Sequence, residues 1–371
     1  MYATLRPLLF RLDAERAHHL ATGAARMAQT LAPWLVERMF AFAHPALGQT
    51  LWGLSFANPV GLAAGFDKNA RLVRFWQRMG FGFAEVGSVS ARKAKGNPRP
   101  RAFRLPEDAA LINRMGLNNQ GAPKVARRLR RTRPAGFPVG VNLAKTHDSA
   151  ILGEAALEDF RTSFRLLAPH ADYVALNISC PNTTEGKTFE DPNALDDLLR
   201  VIFDERTALG LNVPVLVKLS PPLSDRFVLD SLIDELVGVA MAHGVHGFIA
   251  TNTAPDREGL VTPPDRVASI GPGGLSGAPL ERRATRMIRY LYERTEGRLP
   301  LIGVGGIRSP ETAYARIRAG ASLIQLYTGL VYEGPGLVRR IKEGLVRLLE
   351  RDGYAHIREA VGADLRMPAA P

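Results

Sequence analysis

The chain has 371 residues, a single cysteine and a formal net charge of +12. One thiol excludes an intrachain disulfide framework and favours a reducing compartment. Apolar residues at 46% and charged residues at 23% exclude a disordered or fibrous chain and leave an ordinary globular core.

The charge is mostly arginine, since lysines number only eight. The densest basic run, Arg127-Arg128-Leu129-Arg130-Arg131-Thr132-Arg133, has no interleaved aromatics and is broken by Leu129 at helical spacing. It reads as a solvated helix end, and nucleic-acid binding is not expected. An anionic small ligand or a membrane surface accounts better for the charge. No apolar stretch reaches the ~20 residues that span a bilayer. No charged leader with a small-residue cleavage site opens the chain, so no signal peptide is expected.

Residues 1–43 stand apart. Leu5, Leu8, Leu9, Leu12, Ala17, Leu20 and Ala24 recur near helical spacing, Pro33 breaks the run, and Trp34, Leu35, Met39, Phe40 and Phe42 follow. This predicts a two-helix amphipathic extension. Its apolar faces suit a cap on the core, an interfacial membrane anchor or the wall of an apolar tunnel.

Residues 44–371 have another rhythm, in which short apolar runs end in Gly, Asn, Ser or Thr and helical patterns follow. The runs are Pro59–Ala63, Phe83–Gly87, Val139–Leu143, Tyr173–Ile178, Val215–Leu219, Gly247–Ala250, Leu301–Val304 and Leu323–Leu326. Continuous apolar runs are the mark of strands buried on both faces. Eight such units predict an α/β chain forming a (β/α)8 TIM barrel. A doubly wound sheet is the alternative, but Gly61-Leu62-Ala63-Ala64-Gly65 does not match its fingerprint. Two segments, 91–120 after the second run and 252–280 after the sixth, exceed a minimal barrel. Both belong at the C-terminal face, where barrel chemistry is built.

Polar residues close nearly every run. They are Asp67-Lys68-Asn69, Ser88, Asn142 with Lys145, Asn177 through Asn182, Thr251-Asn252-Thr253, Gly305-Gly306 and Tyr327-Thr328-Gly329. Lys218 lies between Val217 and Leu219, where a buried ammonium needs an anion or an electron-rich partner. A barrel ion pair is the structural reading and a ligand contact the functional one. Asn142, Asn177 and Asn182 on separate run ends suit a planar ligand with amide edges, because an amide donates and accepts at once. Gly273–Gly277, Gly303–Gly306 and Thr328-Gly329 offer backbone N–H groups for a phosphate at the usual barrel position. His18-His19 and His243…His246 lack metal-ligand spacing, so no metal is expected. No G-x-S-x-G elbow is present.

Taken together, these strings resemble the dihydroorotate dehydrogenase family over nearly the whole chain. The most specific are Ala63–Lys68, Asn113–Asn118, Asn177–Asn182, Gly273–Gly277, Gly303–Gly306 and Ala319–Thr328. The resemblance implies FMN held by Ala64, Gly65, Lys68, Ser88, Asn142, Asn177, Lys218, Thr251, Gly277, Gly306, Tyr327 and Thr328. It implies dihydroorotate, oxidised to orotate in pyrimidine biosynthesis, held by Lys68, Asn113, Arg114, Met115, Gly116, Leu117, Asn177, Asn182, Asn252 and Thr253. Cys180 falls at the base position. Quinone-reducing relatives usually carry serine there, so the cysteine resembles the soluble class that uses fumarate or NAD. The extension and the Arg99–Leu105 segment resemble the quinone class instead. That class implies His18 and Arg101 on the quinone side, a monomer, and peripheral association with the cytoplasmic side of the cell inner membrane. A flavin-binding protein without catalysis is the remaining alternative.

Overall fold

The eight apolar runs close on themselves. The computed structural model describes residues 2–179, 189–222 and 231–366. Its barrel strands are numbered β1 (Val60–Leu62), β2 (Phe83–Val89), β3 (Val139–Leu143), β4 (Tyr173–Asn177), β5 (Val215–Leu219), β6 (Gly247–Ala250), β7 (Leu301–Val304) and β8 (Leu323–Leu326). Each pairs in parallel with its sequence neighbours, and β8 pairs with β1 to complete a closed TIM barrel. The strands read as unbroken apolar runs because helices cover their outer face while side chains fill the inner one.

The floor of the barrel is aromatic. Phe56, Phe83 and Tyr173 pack with Leu216, Ile249, Ile302 and Leu323 into one buried cluster. Gly61 and Gly140 give the rings room: a Cβ on Gly61 would lie 2.3 Å from the Phe83 ring, and one on Gly140 2.0 Å from that of Tyr173. A hairpin of Gln49–Leu51 and Leu54–Phe56 closes this end. A cavity lies at the opposite, C-terminal face.

The two long insertions meet there. Gly274–Gly277 pairs antiparallel with Ala110–Asn113, which pairs antiparallel with Ala102–Leu105. Segments expected as separate loops thus form one three-stranded sheet over the barrel mouth. Sequence periodicity cannot show this, because the pairing joins residues about 160 positions apart and each strand is four residues long.

The N-terminal extension corrects the two-helix expectation. It holds three helices, α1 (Tyr2–Phe10), α2 (Ala14–Leu31) and α3 (Pro33–Phe40). The run from Leu5 to Ala24 is not continuous, because Asp13 caps α2 by accepting the Glu15 and Arg16 N–H groups, which restarts the chain after α1. Lys342, buried on the helix Leu337–Arg351, ties the end of the extension to the barrel by donating to Phe42 O and Gly80 O, both at 2.7 Å.

Candidate active site

The inner layer above the aromatic floor is polar and is organised by Glu85, fully buried on β2. Its Oε1 accepts Asn142 Nδ2 at 3.0 Å and lies 3.8 Å from Lys218 Nζ. Its Oε2 accepts Gln325 Nε2 at 2.8 Å and the Tyr173 hydroxyl at 3.1 Å. Burial holds Lys218 below its ordinary range, and the Glu85 carboxylate works against that shift. The structural reading of Lys218 is therefore correct as far as it goes, yet the same ammonium also lines the cavity above.

That cavity opens at the C-terminal ends of the strands, and most of the residues expected to bind ligands line it. Ala64, Gly65 and Lys68 come from the end of β1, Ser88 from β2, Asn177 from β4, Lys218 from β5, and Thr251, Asn252 and Thr253 from β6. Asn113, Met115, Leu117 and Gly277 come from the inserted sheet and its flanks, Gly306 from the end of β7, and Tyr327 and Thr328 from the end of β8. Register explains part of the convergence, since Asn177 sits opposite Lys218 on adjacent strands and Gly87 opposite Asn142. Asn252 Nδ2 donates to Asn177 Oδ1 at 3.0 Å and to Ser179 O at 2.6 Å, which fixes both amides.

Other expected residues stand elsewhere. Asn142 is fully buried beneath the cavity and accepts the Ser88 hydroxyl while donating to Glu85. The Arg114 guanidinium stacks on the Phe103 ring at 4.7 Å and donates to Ile270 O, which turns it away from the cavity. Gly116, at φ +64°, lies where a Cβ would strike Asn97, so its role is to let the loop turn. Cys180 and Asn182, with the Thr183–Thr188 segment, lie outside the described residues. Asp67 serves the backbone rather than a ligand, as its carboxylate accepts the Arg71 and Leu72 N–H groups at 2.8 and 2.7 Å.

Lys68 is half-buried, and desolvation brings its pKa from 10.5 to about 8, with Arg101 pushing the same way. It also borders a second cavity of about 710 Å³. This one lies beneath α1–α3 and is walled by apolar side chains, among them Leu9, Ala21, Val36, Met39, Phe66 and Leu330. The two cavities share Lys68, Asn113, Met115, Ser276 and Tyr327. His18 lines the apolar cavity, and its ring meets Phe66 edge-on at 5.0 Å while Phe66 meets Tyr327 at 5.2 Å. Burial lowers the His18 pKa to about 4, with Lys68 adding to the shift, so the ring is neutral at ordinary pH. Arg101 was expected beside it but is spent on Glu15: Nε lies 3.2 Å from Oε2 and Nη2 2.8 Å from Oε1. Its Nη1 donates to Lys95 O and Asn97 O. Arg101 thus pins α2 to the second-strand insertion, and Glu15 and Ala102, rather than Arg101 itself, face the apolar cavity.

A family model for dihydroorotate dehydrogenase matches residues 46–349. The chain belongs to the dihydroorotate dehydrogenase family. Among the family's members it is 48% identical over 370 residues to "Dihydroorotate dehydrogenase (quinone)" of Nocardia farcinica, covering 99% of this chain and 98% of that one. It is 49% identical over 367 residues to the protein of the same name from Roseiflexus sp., covering 98% of each chain. Among solved structures, dihydroorotate dehydrogenase from Eimeria tenella in complex with ferulenol superposes with a TM-score of 0.82 at 32% identity, covering 95% of this chain and 96% of that one. At 98–99% coverage, the alignments to the Nocardia and Roseiflexus proteins take in nearly all of residues 1–43 as well as the barrel.

Glu85, Gln325 and Ser276 escape a reading based on strand ends. Glu85 and Gln325 lie inside apolar runs, as Lys218 does, so the rule that singled out the lysine also finds them. Ser276 enters only through the inserted sheet, where its hydroxyl is 2.9 Å from that of Thr328.

Proposed function

We propose that the protein oxidises (S)-dihydroorotate to orotate in pyrimidine biosynthesis, with FMN as the hydride acceptor and a membrane quinone as the final electron acceptor. The observation that carries this reading is the shared wall. A polar cavity built for a planar anionic ligand meets an apolar cavity under amphipathic helices at Lys68 and Tyr327. The relatives named for quinone support the same acceptor.

The residues fit a flavin. Thr251 Oγ1 and Gln325 Oε1 are buried without a partner among the described residues, and both residues line the polar cavity. Buried polar atoms are normally satisfied, so a ligand with its own polar edge is wanted there. Bound FMN would supply the acceptor for the hydride of substrate C6 and the relay to the quinone. The chain does the rest. The Lys68 ammonium neutralises the substrate carboxylate, and Asn113, Asn177, Asn182, Asn252 and Thr253 fix the ring. Orientation of this kind removes several kcal/mol of barrier. Cys180 takes the C5 proton, and a thiol of ordinary pKa about 8.5 is a more accessible base near neutrality than a serine hydroxyl. Lys218, which lines the cavity 3.8 Å from Glu85, would supply positive charge to stabilise negative charge on a reduced flavin. Atoms balance as dihydroorotate plus quinone giving orotate plus quinol.

Residues 1–43 form the quinone entrance and the membrane face. Of the twelve large apolar side chains exposed among the described residues, nine are on or beside α1–α3, including Leu8, Leu31 and Trp34. Among the described residues no helix is long and apolar enough to cross a membrane, and the exposed apolar faces of α1–α3 support peripheral attachment instead, at the cytoplasmic side of the inner membrane and as a monomer.

Anaerobic stopped-flow mixing with dihydroorotate tests the first half-reaction, and reoxidation by a quinone in detergent against fumarate or NAD tests the second. Bleaching followed by quinone-dependent recovery is expected. Recovery with fumarate or NAD alone would move the enzyme to a soluble acceptor. No bleaching would overturn the dehydrogenase reading.

A further inference from the structure

The helix Pro310–Arg318 buries an arginine completely: Arg316 has no exposed surface. Its Nη2 donates to Gly305 O at 2.8 Å and Glu281 O at 3.0 Å, and its Nε to Thr285 Oγ1 at 3.1 Å. Nη1 is buried with no partner among the described residues. Among the described residues no carboxylate hydrogen-bonds to it, and the one that acts on it through space belongs to Glu281. Burial lowers its pKa only to about 10, so it stays a cation at neutral pH. Buried charges are ordinarily paired, because an isolated ion loses far more hydration than neutral hydrogen bonds return.

What Arg316 holds suggests the missing partner. The Gly305–Gly306 peptide is not among the cis bonds of the chain, so its C=O and N–H point in opposite directions. With the C=O on Arg316, the Gly306 N–H points to the other side. No backbone carbonyl accepts it among the described residues, and Gly305 and Gly306 both line the polar cavity. Gly303 lacks a Cβ for the same reason: one would lie 2.5 Å from Arg316 Cγ. That glycine makes room for the arginine rather than for a ligand.

We infer that Arg316 is a positioning residue for a phosphate monoester, a buried counter-charge that aims the Gly306 N–H at the phosphate of the bound flavin. This rests on the FMN reading above. The cation lies behind the loop and acts through the peptide and through space, so its effect follows the phosphate and not the isoalloxazine.

The discriminating measurement is the ratio of FMN to riboflavin affinity, read by flavin fluorescence quenching on refilling the full-length protein. Arg316→Gln is expected to weaken FMN at least tenfold and riboflavin less than threefold. Arg316→Lys keeps the charge and is expected to hold the wild-type ratio within about threefold. Equal weakening of both flavins in Arg316→Gln would reduce Arg316 to a packing role and overturn the inference. So would a folded Arg316→Lys protein that loses the preference, which keeps the test decisive if the glutamine variant does not fold. A wild-type protein that binds neither flavin would overturn the cofactor reading, and the inference with it. An unchanged preference in Arg316→Gln would sink the inference alone.

Discussion

Replacing Glu85 by glutamine removes one charge from the barrel while leaving its hydrogen bonds largely replaceable. An amide oxygen in the place of Glu85 Oε2 still accepts Gln325 Nε2 and the Tyr173 hydroxyl. What is lost is the attraction to Lys218 at 3.8 Å, between side chains only 8% and 0% exposed. At an effective dielectric of about 20 that attraction is roughly 4 kcal/mol. The lysine can escape by shedding its proton, which costs about 1.4 kcal/mol for each pH unit below its ordinary value. The deficit is therefore capped near 5 kcal/mol at pH 7 and near 1.4 kcal/mol at pH 9.5. The sign follows from Lys218, whose folded pKa is depressed. Its charge destabilises the fold below that pKa, and the cost fades as pH rises toward the unfolded value. With an unfolding entropy of about 0.8 kcal/mol/K for a chain of this size, Tm should fall by about 5 °C at pH 7 and by less than about 2 °C at pH 9.5. Thermal unfolding at one fixed excess of FMN is the assay, with the FMN affinity of each variant measured at both pH values so that ligand linkage is subtracted. Equal losses at the two pH values, or a loss undiminished when Lys218→Met is also present, would refute the account.

Lys68 should lose its charge as pH rises through about 8, so orotate affinity, titrated by its effect on the flavin spectrum, should decline above pH 8. Lys68→Met should weaken binding throughout and flatten that decline. Cys180→Ala should slow anaerobic flavin bleaching by about 10²–10⁴-fold, and Cys180→Ser should shift its pH dependence to the alkaline side; equal rates in all three proteins would remove the thiol from the mechanism. His18, with a pKa of about 4, should leave no inflection near pH 6.5 in quinone reduction, and His18→Ala should raise the quinone KM without changing the dihydroorotate half-reaction. Deleting residues 1–43 should abolish quinone reduction and spare bleaching by dihydroorotate. Loss of both would assign the extension to folding, through contacts such as Lys342 to Phe42 O.

Much of the barrel and most of the cavity wall were legible in the chain itself. Strands buried on both faces must be apolar from end to end, and a polar residue at such an end has few reasons to be there besides a ligand. That local logic found Lys68, Ser88, Asn177 and Thr251 in one cavity, and a charge inside an apolar run found Lys218 there too. It also determined that eight such units would close, since parallel strands joined by helices have few other ways to cover both faces. The tertiary structure decided what depends on partners far apart in sequence. Only the fold shows that Glu85 is the anion beside Lys218, that the insertions after β2 and β6 share one sheet, and that Arg101 is committed to Glu15. Only the fold reveals the apolar cavity under α1–α3 meeting the polar one at Lys68. A charge or an amide announces in sequence that it needs a partner, but which partner it finds depends on distances that exist only once the chain is packed.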